Sequence, residues 1–213
     1  NCSGFTGNLS ISKNVESIDD EAFYNCSGFT GDLKIPDNVK LLGNGSFSGC
    51  TGFMCDLIIP DSVVYMGPYA FFKTGFGDHL TLSRKIVTIY EYTFSDCANL
   101  KDKLQIPDSV TEIKDFAFNQ CKLFENLILP NKLEKLGSSV FYDCRSFAGT
   151  LKLPETLNTI GDSCFVECRV FKKSLKIPNG IKCIEKSTFS GCMQFDVLEL
   201  PDSLISIKEN AFK

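Results

Sequence analysis

The sequence has few of the residues on which catalytic and metal sites depend. Only one histidine, His79, occurs among 213 residues. A nucleophilic Ser or Cys usually needs a histidine base, so most such schemes are excluded, although a carboxylate pair is not. The acidic run from Asp19 to Glu21 is interpreted as a solvated loop. Because the sequence also has no Cys-x-x-Cys pair of the kind typical of zinc sites, we expect no enzyme, no metal site and no cofactor.

Positive charge and long apolar runs are also scarce. The net charge is −4 and the sequence pI is about 5.1, and the 22 Lys and Arg residues are spread along the chain. Because no cluster of Lys and Arg creates a basic surface, we do not expect the protein to bind nucleic acid. No apolar run reaches the roughly 18 residues that a membrane-spanning helix needs. We therefore expect the function to depend on a binding surface and not on catalysis.

An apolar pattern recurs every 23 or 24 residues along the whole chain. Counted from the first Leu as offset 0, aliphatic residues occupy offsets 0, 2, 6 and 9, with Phe at 14, Cys at 17 and an aromatic residue or Leu at 20. The copies start at Leu9, Leu33, Leu57, Leu80, Leu104, Leu127, Leu151, Leu175 and Leu198. A period of this length is typical of a solenoid, in which each unit buries its apolar side against its neighbours.

Each copy contains signals for two local structures. Leu and Ile at offsets 0 and 2 alternate with outward residues and predict a short strand, which the following Pro should end. Stacked copies would align these strands into one parallel sheet. The small residue before Phe, as in Ala117-Phe118, predicts a helical or 3₁₀ turn. We expect a single domain over residues 1–213, with partial repeats and no capping unit at either end.

The copy that starts at Leu104 reads LQIPDSVTEIKDFAFNQCKLFEN. It resembles the BspA-like, or Treponema-type, leucine-rich repeat in its pattern LxIPxxVxxIxxxAFxxC. The matching residues are Leu104, Ile106, Pro107, Val110, Ile113, Ala117, Phe118 and Cys121. The resemblance implies an α/β leucine-rich-repeat solenoid, right-handed and rich in short strands, with the sheet on the concave side and short turns on the convex side. It also implies a cell-surface or secreted protein of mucosal bacteria or protozoa, such as trichomonads, that adheres to host cells and matrix.

Most cysteines recur at one offset. Eight of the eleven lie at offset 17: Cys2, Cys26, Cys50, Cys97, Cys121, Cys144, Cys168 and Cys192. Stacked copies would place them in an inward-facing ladder of small buried hydrophobic residues rather than a disulfide framework. Cys55, Cys164 and Cys183 lie elsewhere, and a pairing such as Cys50 with Cys55 stays open.

The third copy departs from the pattern. It has Thr74 where Cys is expected and Gly77 where an aromatic residue is expected, and it carries an extra Pro68. Two interpretations stay open, a repeat that has drifted locally and a kink that contacts a partner.

The residues that flank the strand Leu should face outwards, and they vary between copies as a recognition surface would. The candidate partner-binding residues are Asp32, Lys34, Ile58, His79, Thr81, Lys103, Gln105, Ile128, Lys152 and Lys176. Charge reversal at the lysines 103, 152 and 176 is predicted to weaken binding without unfolding the chain. Asn-x-Ser triplets make Asn8, Asn25 and Asn44, together with Asn1, candidate glycosylation sites in a eukaryotic secreted protein.

The leading hypothesis is a cell-surface or secreted adhesion module that binds protein or glycan partners on host cells or matrix. The alternative is a different class of protein, a structural spacer with no ligand of its own. An intracellular protein-interaction scaffold is a third, favoured by reduced thiols and unoccupied Asn-x-Ser triplets. Uncapped terminal coils are also expected to allow self-association.

Overall fold

The computed structural model describes residues 4–213. Asn1 and Cys2, which belong to the predicted glycosylation and cysteine sets, lie outside the described residues. The described chain forms fifteen short strands and no helix. In chain order they are β1 (Ser17–Ile18), β2 (Leu41–Leu42), β3 (Leu57–Ile58), β4 (Tyr65–Met66), β5 (Leu80–Thr81), β6 (Thr88–Ile89), β7 (Lys101–Gln105), β8 (Glu112–Ile113), β9 (Leu123–Ile128), β10 (Lys135–Leu136), β11 (Thr159–Ile160), β12 (Lys173–Lys176), β13 (Cys183–Ile184), β14 (Phe195–Glu199) and β15 (Ser206–Ile207).

The strands form two columns, and every pair between coils is parallel. The first column contains the predicted Leu-x-Ile strands, with the pairs β3–β5, β7–β9 and β12–β14. The second column contains one two-residue strand in every copy, in the orders β1-β2-β4, β6-β8-β10-β11 and β13-β15. The expectation of one parallel sheet is therefore wrong. The second strand occupies offsets 8 and 9, and the inward residues at offsets 6 and 9 are three apart, a spacing that lacks the period-two signature of a strand.

Copies of 23 and 24 residues are kept in register by a β-bulge where neighbouring coils pair. Leu104 pairs with Leu127, but the register shifts between Asp102 and Lys103. Asp102 has a φ of 63° there, in the left-handed region. One extra residue in one of two paired strands is a β-bulge, and it keeps the following strand Leu residues aligned.

The predicted helical or 3₁₀ turn around Phe is also wrong. Ala22 and Tyr24 donate their N–H groups to carbonyls three residues earlier, at 3.2 and 3.0 Å, as in a turn. Between them, the N–H of Phe23 donates to the carbonyl of Ser46 in the next coil, at 2.8 Å. A helix needs all successive N–H groups within its own segment. Here every second N–H group donates to the next coil instead. Residues with positive φ, such as Glu21 at 55°, turn alternate N–H groups in the two directions.

The core contains two columns of aromatic rings. Phe rings at offset 14 stack from coil to coil, with centroids 5.5 Å apart and planes 1° apart for Phe47 and Phe71. A second column at offset 20 stacks similarly, as Phe147 does on Phe171 at 5.6 Å. The columns meet edge to face, with 75° between the planes of Phe141 and Phe147. Because each ring touches the next coil, burying one copy depends on its neighbours.

The third copy packs as the others do. Phe76, not Gly77, occupies the position of the offset-20 ring, and it stacks on Phe53 at 5.1 Å. The residue missing from this 23-residue copy therefore precedes the ring. Thr74 replaces the ladder cysteine and donates its hydroxyl to the Phe71 carbonyl at 3.0 Å. The packing agrees with a repeat that has drifted locally.

Candidate binding surface

The ten candidate partner-binding residues lie along the first strand column, and all are exposed. We call this surface the LxI face, defined by the residues directly before and after the strand Leu of each copy. The expectation that these side chains point outwards is confirmed. That the face is concave, and that it contacts a partner, stay predictions.

Four depressions follow one another along the LxI face. Their volumes, from the first copy to the seventh, are about 670, 550, 970 and 540 Å³. Neighbouring depressions share lining residues, such as Lys34, Ile58 and Gln105. We call the run of four the groove. Nine of the ten candidates line it, and Lys176 does not.

The largest depression has a mixed floor and a charged wall. Ile58, Thr81 and Gln105 are successive residues of the floor, and the Ile58 side chain is 56% exposed. The wall is formed by the turn that follows each strand. In that wall Arg84 donates from Nε to Asp61 at 2.7 Å, and this bond holds the pKa of the Asp61 carboxyl below its usual value.

His79 stands at one side of the same depression. Its Nδ1 lies 2.8 Å from a carboxylate oxygen of Asp102, the residue at the bulge. Its backbone N–H donates to Asp56 at 3.1 Å. Asp102 therefore holds the imidazole of His79, while Asp56 on the other neighbouring coil holds its backbone.

Cationic groups on the LxI face differ in whether they are paired. Lys176 lies 2.7 Å from Glu155, and the hydrogen bond between them raises the pKa of Lys176. Within residues 4–213, no ion pair involves Lys34, Lys103 or Lys152. These three lysines line the groove and are free to meet an anionic or polar partner, whereas Lys176 is held outside it.

The cysteine ladder is structural. Apart from Cys26, the described cysteines are free thiols, so the pairing of Cys50 with Cys55 does not occur. Ladder thiols instead donate to the carbonyl of Phe in the preceding coil, as Cys97 does to Phe71 at 3.0 Å. Burial raises the pKa of the Cys97 thiol to about 11, which disfavours the reactive thiolate. Within the described chain, no group of three or more His, Cys, Asp or Glu residues could hold a metal.

The candidate glycosylation sites are exposed, but their environments differ. The amide nitrogen of Asn44 donates to Asp20 at 3.1 Å, and the hydroxyl-bearing Ser46 of its triplet is fully buried. Ser10, in the triplet of Asn8, is exposed. Asn44 therefore has a structural role between coils. Glycosylation at Asn8, Asn25 and Asn44 stays a prediction.

The groove wall was not predicted from the sequence. Asp61, Arg84 and Asp108 all lie at offset 4, directly after the strand-ending position. The recurrent Pro-Asp-Ser turn is a signal that could have identified this row, because turn residues beside a strand border its outer face. Separately, no helix among residues 4–213 is long and apolar enough to cross a membrane.

Comparison with known families agrees with the repeat pattern. The family model described as the BspA type leucine rich repeat region, which contains six copies, matches residues 1–123 and residues 87–213. Together these matches cover the chain. It belongs to the BspA-type leucine-rich repeat family. The family and the parallel pairing support a right-handed parallel β solenoid, a fold whose members are in general not enzymes.

The chain is also similar to solved structures of leucine-rich repeat proteins. A leucine-rich repeat protein from Bacteroides ovatus is 26% identical with a TM-score of 0.66, and the match covers 100% of this chain and 65% of that one. A leucine rich cell surface protein from Faecalibacterium prausnitzii is 22% identical, with a TM-score of 0.51 and coverage of 93% and 62%. A T. pallidum leucine-rich repeat protein is 21% identical, with a TM-score of 0.46 and coverage of 91% and 66%. The chain thus spans just under two thirds of each relative, and no curated protein matches it.

Proposed function

We propose that this BspA-type solenoid is a cell-surface or secreted binding module that holds a protein or glycan partner in the groove of the LxI face. The observation that carries the proposal is the coincidence of two independent features. The residues that vary between copies, chosen from sequence, line a continuous run of depressions. Adhesion to host cells or matrix is the form of binding that the family suggests.

The chemistry of the groove suits a partner that is long and partly polar. Exposed Ile58 and Ile128 supply apolar area about three coils apart, since their strands are β3 and β9. Lys103 and Lys152 lie near them without an ion pair, so their charge is not neutralised by this chain. Weak contacts repeated along a groove add up, which is how solenoids use extended surfaces.

The test compares two charge-reversed chains. One carries Lys103→Glu and Lys152→Glu in the groove, and the other carries Lys132→Glu and Lys182→Glu at exposed positions that do not line it. Purified, labelled chains are titrated onto mucosal epithelial cells and a panel of matrix proteins. We expect saturable binding that weakens at least tenfold in the groove variant and stays within twofold in the other, whose net charge is the same.

Equal loss in both variants would assign binding to overall charge and contradict the groove. No saturable binding by a folded, monodisperse wild-type chain would favour the spacer hypothesis. Thermal unfolding of each variant establishes that the substitutions change the surface and not the fold.

The free thiols favour a second candidate, an intracellular scaffold that uses the same groove. Apart from Cys26, the described cysteines are free thiols, and reduced thiols are typical of the cytosol. Burial of the ladder provides an alternative reason for their reduced state, because oxidants do not reach them. Mass spectrometry of the natural protein decides between the locations, since a glycan at Asn8 or Asn25 requires the secretory pathway.

A further inference from the structure

A second surface lies between the second strand column and the Phe turns of the third, fourth and fifth copies. Six aromatic side chains are exposed or half-buried there. We call them the aromatic patch, and they are Tyr65, Tyr69, Phe72, Tyr90, Tyr92 and Phe116. Four of the six tyrosines of the chain belong to the patch, and none of its residues lines the groove.

Four of the rings contact one another across successive coils. The ring centroids of Tyr69 and Tyr92 are 4.7 Å apart, with 7° between their planes, and Tyr92 and Phe116 have the same values. Phe72 meets both tyrosines edge to face, with centroid distances of 5.5 Å to Tyr69 and 6.3 Å to Tyr92. The patch therefore extends over three coils, about 15 Å along the solenoid.

The other two rings and two valines widen the patch. The ring centroid of Tyr65 lies 5.2 Å from that of Tyr90 in the next coil. Val64, directly before Tyr65, and Val87, one coil further on, are each 54% exposed. Both valines lie at offset 7, on the outer side of the second strand column. Apolar side chains are thus concentrated on one part of an otherwise polar surface.

The copies that follow have polar residues at the same positions. Offset 7 is occupied by Glu134, Asn158 and Lys182 in the sixth to eighth copies. Offset 12, which is aromatic in the third to fifth copies, is occupied by Ser139, Ser163 and Ser187. Because all these copies form the same coil, the fold does not require the patch.

Offset 12 is also an unfavourable position for an aromatic side chain. Tyr69, Tyr92 and Phe116 have φ values of 60°, 56° and 59°, in the left-handed region that bulky residues seldom adopt. Stacking between the rings offsets part of this strain. Ser163, however, forms the same turn at a φ of 58° without a ring. Backbone strain that is kept at a surface is typical of functional sites.

Carboxylates border the patch at both ends. Asp20 lies in the first copy and Asp115 in the fifth, so about 19 Å separates them along the solenoid. Burial raises the pKa of Tyr65 and of Tyr92, and the charge of Asp20 adds to the first effect and that of Asp115 to the second. Each carboxylate therefore lies close to a ring of the patch. Within residues 4–213, neither forms an ion pair.

We propose that the aromatic patch docks a short segment of a partner polypeptide with basic residues on both sides of an apolar stretch. The rings and valines cover the apolar stretch, and Asp20 and Asp115 pair with the basic residues. Tyrosine is enriched at protein interfaces. Within residues 4–213, no hydrogen bond involves the hydroxyl groups of the four tyrosines, so they can bond the backbone of the segment. A second copy of this chain fits less well, because a stable interface buries about 800 Å² on each side.

A glycan is the alternative partner for exposed aromatic residues, because sugars stack on the faces of rings. The two faces of Tyr92 are covered by Tyr69 and Phe116. The ammonium of Lys73 lies 4.9 Å from the centre of the Phe72 ring. Rings that stack along the solenoid present their edges to the outside, and these edges favour a polypeptide over a sugar.

The test uses a blocked six-residue peptide with Lys at each end and Leu between, which is about 20 Å long when extended. Two matching peptides replace the Lys residues by Glu, or the Leu residues by Ser. Each peptide is titrated into the full chain, and the ring signals of isotope-labelled tyrosines, assigned with Tyr→Phe variants, are followed by NMR. We expect the signals of Tyr69 and Tyr92 to shift saturably, with binding at least fivefold tighter than for either matching peptide. The signals of Tyr24 and Tyr142, which lie outside the patch, should stay unchanged.

A pair of tyrosine variants locates the binding. Tyr69→Ser with Tyr92→Ser introduces the residue that the sixth to eighth copies have at offset 12, and it should weaken binding at least fivefold, as followed at Tyr65. Tyr24→Ser with Tyr142→Ser removes as many exposed tyrosines outside the patch and should change binding by less than twofold. Thermal unfolding of each variant establishes that the solenoid is intact.

A pair of aspartate variants tests the charge. Asp115→Asn keeps the oxygen that accepts the Ser138 N–H and removes the charge, so it should weaken binding at least twofold. Asp162→Asn makes the same change at offset 11 of the seventh copy and should leave binding unchanged.

Three results would overturn the proposal. One is equal binding by the wild type and the Tyr69→Ser, Tyr92→Ser chain. Another is equal binding of the Lys-ended and Glu-ended peptides, which would indicate general apolar attraction. The third is shifts of the patch signals with hexamers of glucose or N-acetylglucosamine but not with the peptide, which would make the patch a glycan site.

Discussion

The thiol of Cys121 donates a hydrogen bond to the backbone carbonyl of Phe94 in the preceding coil, at 3.1 Å. The same carbonyl accepts the N–H of Cys97 at 3.2 Å. One oxygen therefore closes a turn within its own coil and ties that coil to the next. Cysteine suits this position because it is small, largely apolar and still a donor.

Replacing Cys121 by Ala should lower the free energy of unfolding by about 1–2 kcal/mol, because a buried sulfur and its hydrogen bond are both lost. Cys55→Ala is the matched comparison. Cys55 is partly exposed, and its sulfur accepts only a 3.4 Å contact from the Leu33 N–H. That variant should lose less than about 0.5 kcal/mol. Urea unfolding measures both, and equal losses would show that the ladder bond adds nothing.

Stability should fall in alkaline solution because of the ladder thiols. Burial raises the pKa of Cys97 from 9.0 to about 11, so the unfolded chain releases this proton at a lower pH than the folded chain does. The contribution is complete below pH 9 and is lost as the pH rises towards 11. Within that window each such thiol lowers the free energy of unfolding by about 1.4 kcal/mol per pH unit.

The comparison is urea unfolding of the wild type and Cys97→Ser at several pH values on both sides of 9. The difference in stability between the two chains should shrink as the pH rises through this window. A difference that stays constant would mean that Cys97 ionises equally in the folded and unfolded states. Lys and Tyr titrate in both chains, so their contribution cancels.

Loss of a stacked ring should cost most in the middle of the column. Phe118 is fully buried between Phe94 at 5.2 Å and Phe141 at 5.8 Å. Phe118→Ala should lower the free energy of unfolding by about 3–5 kcal/mol. In the 213-residue chain, Phe212 is 38% exposed and stacks only on Phe189, so Phe212→Ala should cost less than about 2 kcal/mol. Similar unfolding midpoints in urea would contradict this dependence on position.

Two glycines should respond differently to a methyl group. A Cβ on Gly52 would lie 2.3 Å from the Ser27 carbonyl oxygen and 2.4 Å from that of Phe29, and backbone atoms of the preceding coil cannot move away cheaply. Gly52→Ala should therefore cost about 1–3 kcal/mol. Gly45→Ala places its methyl at ordinary contact distance, 3.7 Å from Glu21 Cγ and 3.8 Å from Ser48 Cβ, and should cost no more than about 1 kcal/mol, the strain of its φ of 58°. Thermal unfolding of the two variants checks the contrast, and a stable Gly52→Ala chain would show that the coils can separate.

Glycan occupancy should follow the local packing if the chain enters the secretory pathway. Asn8 belongs to a triplet with an exposed Ser10, whereas the amide of Asn44 bonds Asp20 and its triplet contains the buried Ser46. We expect a glycan on Asn8 and a much smaller occupied fraction at Asn44. Peptide mapping after expression in a eukaryotic secretory host measures both fractions. Higher occupancy at Asn44 would mean that folding does not limit the modification.

Much of the LxI face could be predicted from the repeat alone. Ile58 and Lys103 were assigned to the outside because they flank an inward Leu, and alternation along a strand determines that direction. Arg84 and Asp61 were missed, because a turn residue shows no periodicity that separates a groove wall from an ordinary loop.

The repeat pattern alone predicts the period, the family, the buried Phe and Cys columns and the outward direction of the LxI residues. It does so because every copy must bury the same offsets against its neighbours. The turn around Phe and the second strand column became visible only in the folded chain. Both depend on hydrogen bonds between residues 23 or 24 positions apart, as between Phe23 and Ser46, and the local sequence pattern carries no information on such partners.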